Sequence, residues 1–143
     1  MSTSCRFNRT WGCVAGGLTI ATGLVHDAMI YTELEVFRTL PQADQYGSMW
    51  LFLCTGTAVA FAGALNLSAA RGLARGESWA RRLTLGSSLF LAVLGVSGLA
   101  LSQWAAVVLV ALAVLSLVPW WAARGAALRP SPARSASREA GAA

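Results

Sequence analysis

The sequence has no lysine, a single histidine and few charges of either sign: 12% of its 143 residues are charged. A soluble domain carries about 25% charged residues, so this composition argues against a soluble fold. One histidine cannot supply both axial ligands of a bis-histidine haem, and it argues against a histidine-rich metal site. The chain also lacks a glycine-rich phosphate loop, Ser-x-x-Lys, HExxH and CxxC, so the enzyme classes that these motifs mark rank low.

Cysteine is scarce as well, with Cys5, Cys13 and Cys54 as the only three. Their spacing fits neither a disulfide framework nor a metal site, so we interpret them as free thiols that pack as small apolar residues. We therefore expect no metal and no cofactor.

Charge is absent from three long stretches, residues 10–26, 45–70 and 83–123, which are 17, 26 and 41 residues long. A bilayer core about 30 Å thick needs roughly 20 helical residues, so these stretches hold one, one and two spans. Backbone in lipid must satisfy its own hydrogen bonds, which requires helices. The sequence predicts an all-α, four-helix transmembrane bundle.

The predicted organisation has three parts. They are a cytoplasmic N-terminal segment at 1–10, a membrane domain at 11–121 with spans at about 11–31, 49–70, 83–101 and 104–121, and a disordered basic tail at 122–143. Residues 32–47 form the only long outer loop, whose first part, 32–40, is expected to extend helix one until Pro41 ends it.

Ten of the eleven arginines lie on one side of these spans, and only Arg38 lies on the other. The positive-inside rule makes the arginine-rich side cytoplasmic, so both termini are expected there. This predicts a multi-pass protein of the cell membrane, which in a bacterium is the inner membrane. The bilayer is then its first partner, and the positive charge needs no nucleic acid to explain it.

Small residues recur at helical spacing in the first three spans, which lets helix backbones approach closely in lipid. The residues predicted to pack helices together are Gly12, Gly16, Gly23, Gly56, Ala60, Gly63, Gly95 and Gly98. Whether these faces meet within one chain or between two copies stays open. Helix four lacks glycine and is expected to face lipid, and Asn66 is expected to make a helix–helix hydrogen bond.

The acids outside the cytoplasm cluster at the outer end of helix one or just beyond it. The candidate ligand-binding residues are His26, Asp27, Tyr31, Glu33, Glu35 and Arg38. If the helix continues, His26, Ile30, Glu33 and Phe37 share one face, and Glu35 and Arg38 at i, i+3 can pair. Two interpretations stay open: a pocket for a small amphipathic molecule, or a polar rim at the headgroup level.

The stretch Gly16-x-x-x-Ile20-x-x-Gly23-Leu24-x-His26, entered after Arg9 and Trp11 and followed by three apolar spans, resembles small bacterial four-helix proteins of the DoxX-like kind. The resemblance implies a compact four-helix integral membrane protein, and many such proteins lack an assigned activity. It carries over no functional residue.

Three functions remain open. The first is a non-enzymatic partner subunit or binder of a small apolar or amphipathic molecule, working with a membrane protein or a second copy. The second is a small membrane enzyme or redox accessory that uses His26 with Asp27 or Glu33, because an imidazole beside an acid can move a proton. The third is a transporter or channel assembled from several copies. The lack of a catalytic motif favours the first.

Overall fold

The computed structural model describes residues 3–99 and 102–127, and this part of the chain is all-helical with no strand. The four helices are α1 (Thr3–Arg38), α2 (Gln42–Ala74), α3 (Ser78–Gly98) and α4 (Gln103–Ala127). Three of them, α1, α2 and α4, are long and apolar enough to cross a membrane. The all-helical class is therefore confirmed. Most of the predicted tail, 128–143, lies outside the described residues.

The loop predicted at 32–47 is correct only in its first part, the extension of helix one, because α2 already begins within its second part. Helix α1 runs to Arg38, as expected for its extension, and α2 begins at Gln42 immediately after Pro41. The Gln45 side chain donates to the carbonyls of Leu40 at 2.9 Å and Arg38 at 3.3 Å, which satisfies acceptors that the end of α1 leaves open. The connection shrinks to residues 39–41.

The turn between α2 and α3 is a Schellman motif. The Gly76 N–H bonds the Leu73 carbonyl at 3.0 Å, and the Glu77 N–H bonds the Gly72 carbonyl at 2.9 Å. Gly76 has φ of 75°, which a glycine adopts without a Cβ penalty. This turn makes α3 antiparallel to α2.

The predicted glycine rows form the α1–α2 interface. A Cβ on Gly16 would lie 2.8 Å from the Leu67 nitrogen, and one on Gly23 would lie 2.5 Å from the Ala60 nitrogen. A side chain at either position would thus collide with the neighbouring backbone, so glycine is what lets the two helices approach this closely. The contacts pair the start of α1 with the end of α2, which makes this pair antiparallel.

The remaining predicted packing residues divide into those that make contacts and one that does not. A Cβ on Gly12, Gly56 or Gly63 would lie within 3 Å of the opposite helix, and one on Gly95 would lie 3.1 Å from Val110. Around Gly98 no described atom lies within 4 Å of that position, so Gly98 makes no close helix contact within the described part of the chain. It is the last residue of α3, and its carbonyl accepts from the Ser102 N–H at 2.9 Å in the turn to α4.

Helix α4 buries one of its faces in the bundle, which corrects the expectation, drawn from the lack of glycine in the span at 104–121, that it faces lipid. Its buried face packs on α2 and α3 in a core cluster of Val59, Ala62, Leu91, Leu109, Leu112 and Ala113. Leucine and alanine interdigitate here without the backbone contact that glycine allows, so a missing glycine is a poor guide to lipid exposure.

The two helical hairpins differ in length. The end of the bundle that carries the α1–α2 turn is called the outer end, after its predicted side. From the hydrogen-bonded residues Asn66 and Ser87, α2 continues 24 residues to Gln42 at the outer end, whereas α3 continues only 11 residues to Gly98. At 1.5 Å per residue the α1–α2 hairpin therefore extends roughly 20 Å further than α3.

Candidate functional site at the outer end of α1

His26 lies in the α1–α2 interface and stacks on an aromatic ring of α2. The imidazole and Phe52 ring centroids are 4.0 Å apart at an interplanar angle of 15°. Phe37, three turns further along α1, meets the same Phe52 edge-on at 5.8 Å. Ile30, between them, is buried. The predicted face of α1 that contains His26, Ile30 and Phe37 is therefore the face that packs on α2.

Asp27 reaches α2 from the neighbouring face of α1. The Thr57 hydroxyl donates to Asp27 Oδ2 at 3.0 Å. Oδ1 lies against Gly56, where an added Cβ would be 2.0 Å from it. Any side chain at position 56 would displace this carboxylate, so Gly56 is what makes room for an acid inside the interface.

Two buried polar atoms in this pair of residues are unsatisfied. His26 Nε2 and Asp27 Oδ1 are both buried and have no hydrogen-bond partner among the described residues. Leaving a buried acceptor or donor unpaired costs about 1–3 kcal/mol, so most native structures avoid it. These two atoms are the members of the predicted cluster that are both buried and without a partner among the described residues.

The position of His26 and Asp27 along the bundle axis follows from counting residues along α2 and α3 from the hydrogen-bonded pair Asn66 and Ser87. Thr57 is nine residues from Asn66 along α2, and Gly98 is eleven residues from Ser87 along α3. Asp27 and Thr57 therefore lie close to the level at which α3 ends. Beyond it, α1 and α2 continue as a two-helix hairpin.

The other four candidate residues do not join this pair. Tyr31 is 78% exposed, and Glu33 is half-buried on the face of Ile30. Arg38 Nη1 and Glu35 Oε1 form the predicted ion pair at 2.9 Å, with both side chains exposed. Among the candidates, His26 and Asp27 make side-chain contacts with α2, and the sequence pattern alone does not separate them from the rest.

Asn66 makes the helix–helix hydrogen bonds that were predicted for it. Its Oδ1 accepts from the Ser87 hydroxyl at 2.5 Å, and its Nδ2 donates to the Ser116 hydroxyl at 3.0 Å. All three side chains are buried. The cluster joins α2, α3 and α4, and its bonds are satisfied internally, so its role is structural.

A contact that the sequence analysis missed ties α1 to α4. Pro119 has no N–H, so the carbonyl of Leu115, four residues earlier, loses its helical donor. The Trp11 indole Nε1 donates to that carbonyl at 3.1 Å. The proline inside an apolar helix was the available signal, because a freed carbonyl in a membrane segment needs another donor.

No group of three or more His, Cys, Asp or Glu side chains in the described ranges is arranged to hold a metal ion. Cys13 is a half-buried free thiol and Cys54 an exposed one.

No family model, no curated protein and no solved structure matches this chain. The DoxX-like resemblance therefore stays a prediction, and the functional argument depends on the residues alone.

Proposed function

We propose that this protein is a four-span integral membrane protein with both termini in the cytoplasm, which binds a small amphipathic molecule at the outer end of its α1–α2 interface. It acts as a non-enzymatic binding component of the membrane.

The fourth span in this proposal is α3, whose hydroxyl side chains are buried in the bundle. Thr84, Ser87 and Ser88 are buried, and the two serine hydroxyls donate to carbonyls of their own helix or to Asn66. The large exposed side chains of the same helix beyond its first two turns are all apolar: Leu85, Leu89, Phe90, Val93 and Val96. A helix that hides its hydroxyls and exposes leucine, valine and phenylalanine suits contact with lipid.

The proposed orientation rests on the arginine distribution. Arg71, Arg75, Arg81 and Arg82 lie at or beside the α2–α3 turn, on the same side as Arg6 and Arg9. Among the described residues Arg38 is the one arginine at the other end, and it is paired with Glu35. The positive-inside rule places the arginine-rich end in the cytoplasm and the His26 and Asp27 pair toward the outer surface.

The observation that carries the binding proposal is that two adjacent residues of α1 each have a buried polar atom without a partner among the described residues, Asp27 Oδ1 and His26 Nε2. A carboxylate only accepts hydrogen bonds, so the matching ligand head is an amine or a hydroxyl group. The stacked rings of His26 and Phe52 supply an apolar surface for the rest of the molecule. The level of the pair, near the end of α3, lets a ligand enter from the outer headgroup zone with its apolar part in the bilayer.

Native mass spectrometry of the protein extracted in mild detergent tests this proposal. Wild-type protein should carry a small amphipathic molecule, and Asp27→Ala and His26→Ala should each lose it while keeping their helicity. Glu35→Ala is the matched control, because Glu35 is an exposed acid of the same helix. Wild-type protein that carries no such molecule, or Asp27→Ala protein with full occupancy, would contradict the proposal.

A further inference from the structure

A groove lies along α1 at the end of the bundle opposite to His26. It has a volume of about 560 Å³ and is lined by Arg6, Arg9, Thr10, Cys13 and Val14. These residues share one side of the helix, with the arginines at its start and the smaller, less polar side chains deeper. We call this depression the α1 groove.

The two arginines of the α1 groove lack ion-pair partners within the described part of the chain. Arg38 and Arg75, by contrast, are held by Glu35 and Glu77 at 2.9 and 2.8 Å. Arg6 and Arg9 are one helical turn apart on α1, and with Thr10 they line the same groove, so together they offer several hydrogen-bond donors to a single anion. Arginine binds phosphate through two parallel N–H···O bonds, which makes phosphate the matching anion.

Deeper along the same side, the surface of α1 is open and made of small residues. Gly17 has no described atom within 4 Å of the position that a Cβ would take, and Ala21, one turn on, is exposed. Val14 and Leu18 are exposed beside this track. Contact with another helix therefore does not explain the glycine at position 17, and the track leaves room for a slender apolar chain.

We infer that the α1 groove binds one anionic phospholipid, with its phosphate on Arg6, Arg9 and Thr10 and an acyl chain over Cys13 and Gly17. The cytoplasmic leaflet is the anionic one, and the arginine-rich end of the bundle is the end proposed to face it. The site is independent of the amphipathic ligand at His26, since 20 residues of helix, roughly 30 Å, separate Arg6 from His26.

The test measures lipid affinity by native mass spectrometry on the full chain in mild detergent, titrated with phosphatidylglycerol or phosphatidylcholine. A detergent micelle has no inner or outer leaflet, so the result does not depend on the proposed topology. Wild-type protein should retain one phosphatidylglycerol and prefer it to phosphatidylcholine. No preference between the two lipids would overturn the inference.

The first variant removes the phosphate contacts. Arg6→Gln with Arg9→Gln should weaken phosphatidylglycerol binding about 30-fold, given the usual contribution of an arginine near an anionic headgroup. The control Arg71→Gln with Arg82→Gln removes the same charge from two exposed arginines at the same end. Equal loss in both proteins would show a general charge effect and overturn the site.

The second variant blocks the acyl track. Gly17→Leu should weaken binding of phosphatidylglycerol roughly tenfold, because leucine fills the track without meeting another helix. Gly86→Leu is its control, since Gly86 on α3 has equally open surroundings. Unchanged binding in Gly17→Leu, or displacement of the lipid by millimolar inorganic phosphate, would assign the arginines to a free anion and overturn the lipid site.

Discussion

The contact between Trp11 and Pro119 makes a prediction that a double-mutant cycle can test. Pro119 leaves the Leu115 carbonyl without its helical donor, and the Trp11 indole supplies one at 3.1 Å. Trp11→Phe keeps an aromatic ring but removes the N–H together with one ring of the indole, and the cycle separates these two effects. Pro119→Ala restores a backbone N–H four residues after Leu115, so in that protein the carbonyl no longer depends on Trp11.

The expected loss of stability in Trp11→Phe follows from the cost of leaving a carbonyl unpaired. Hydrogen bonds between membrane helices average about 0.6 kcal/mol and reach about 1.7 kcal/mol. The Leu115 carbonyl has lost its intrahelical donor, so we expect the upper part of that range, about 1–2 kcal/mol, for Trp11→Phe. In the Pro119→Ala background the same substitution should cost less than about 0.5 kcal/mol, since only ring packing changes.

Equilibrium unfolding in mixed detergent micelles, followed by far-ultraviolet circular dichroism, gives the free energy of unfolding for each protein of the cycle. Trp104→Phe is the control for loss of an indole, because Trp104 is highly exposed. If Trp11→Phe costs the same with and without Pro119, the indole is not compensating for the proline, and the reasoning fails.

Two further predictions concern packing inside the bundle. Gly23→Ala should destabilise the bundle by about 1–3 kcal/mol, because its Cβ would lie 2.5 Å from the α2 backbone. The control Gly17→Ala, on the open side of the same helix, should have a free energy of unfolding within about 0.5 kcal/mol of wild type. Equal effects would refute the α1–α2 register. Asn66→Ala should lower the free energy of unfolding by roughly 1–2 kcal/mol, because it loses two helix–helix hydrogen bonds. Ser68→Ala is its control and should be near neutral, since Ser68 is exposed and bonded only within its own helix. The same unfolding assay measures both, and a neutral Asn66→Ala would refute the bridging role.

The uncharged runs predicted the helices because a membrane span tolerates few charges. The length of such a run, however, reflects the thickness of a bilayer and not the full length of the helix. Glu33, Glu35 and Arg38 lie in α1 beyond its uncharged run, in agreement with the expected extension of helix one. A helix that continues into water keeps its hydrogen bonds and accepts charges there. The start of α2 was missed for the same reason.

The candidate site was predicted only as a group of neighbouring polar residues. Asp27 and Tyr31 are one turn apart, yet Asp27 meets Gly56 and Thr57 while Tyr31 is exposed. Which residues of α1 turn inward depends on its register against α2, and the glycine rows suggest contact without fixing that register. Within-helix spacing, by contrast, was enough to predict the ion pair of Glu35 and Arg38.

The central claim is that α3 crosses the membrane, which gives four spans and two cytoplasmic termini. Single cysteines at Ser78 and Ser102, both exposed and at opposite ends of α3, test it directly in a protein whose Cys5, Cys13 and Cys54 are replaced by alanine. With a membrane-impermeant maleimide on intact cells, we predict labelling of Ser102→Cys at once and of Ser78→Cys only after permeabilisation. Equal labelling of the two would show that α3 does not cross, and the opposite pattern would reverse the orientation.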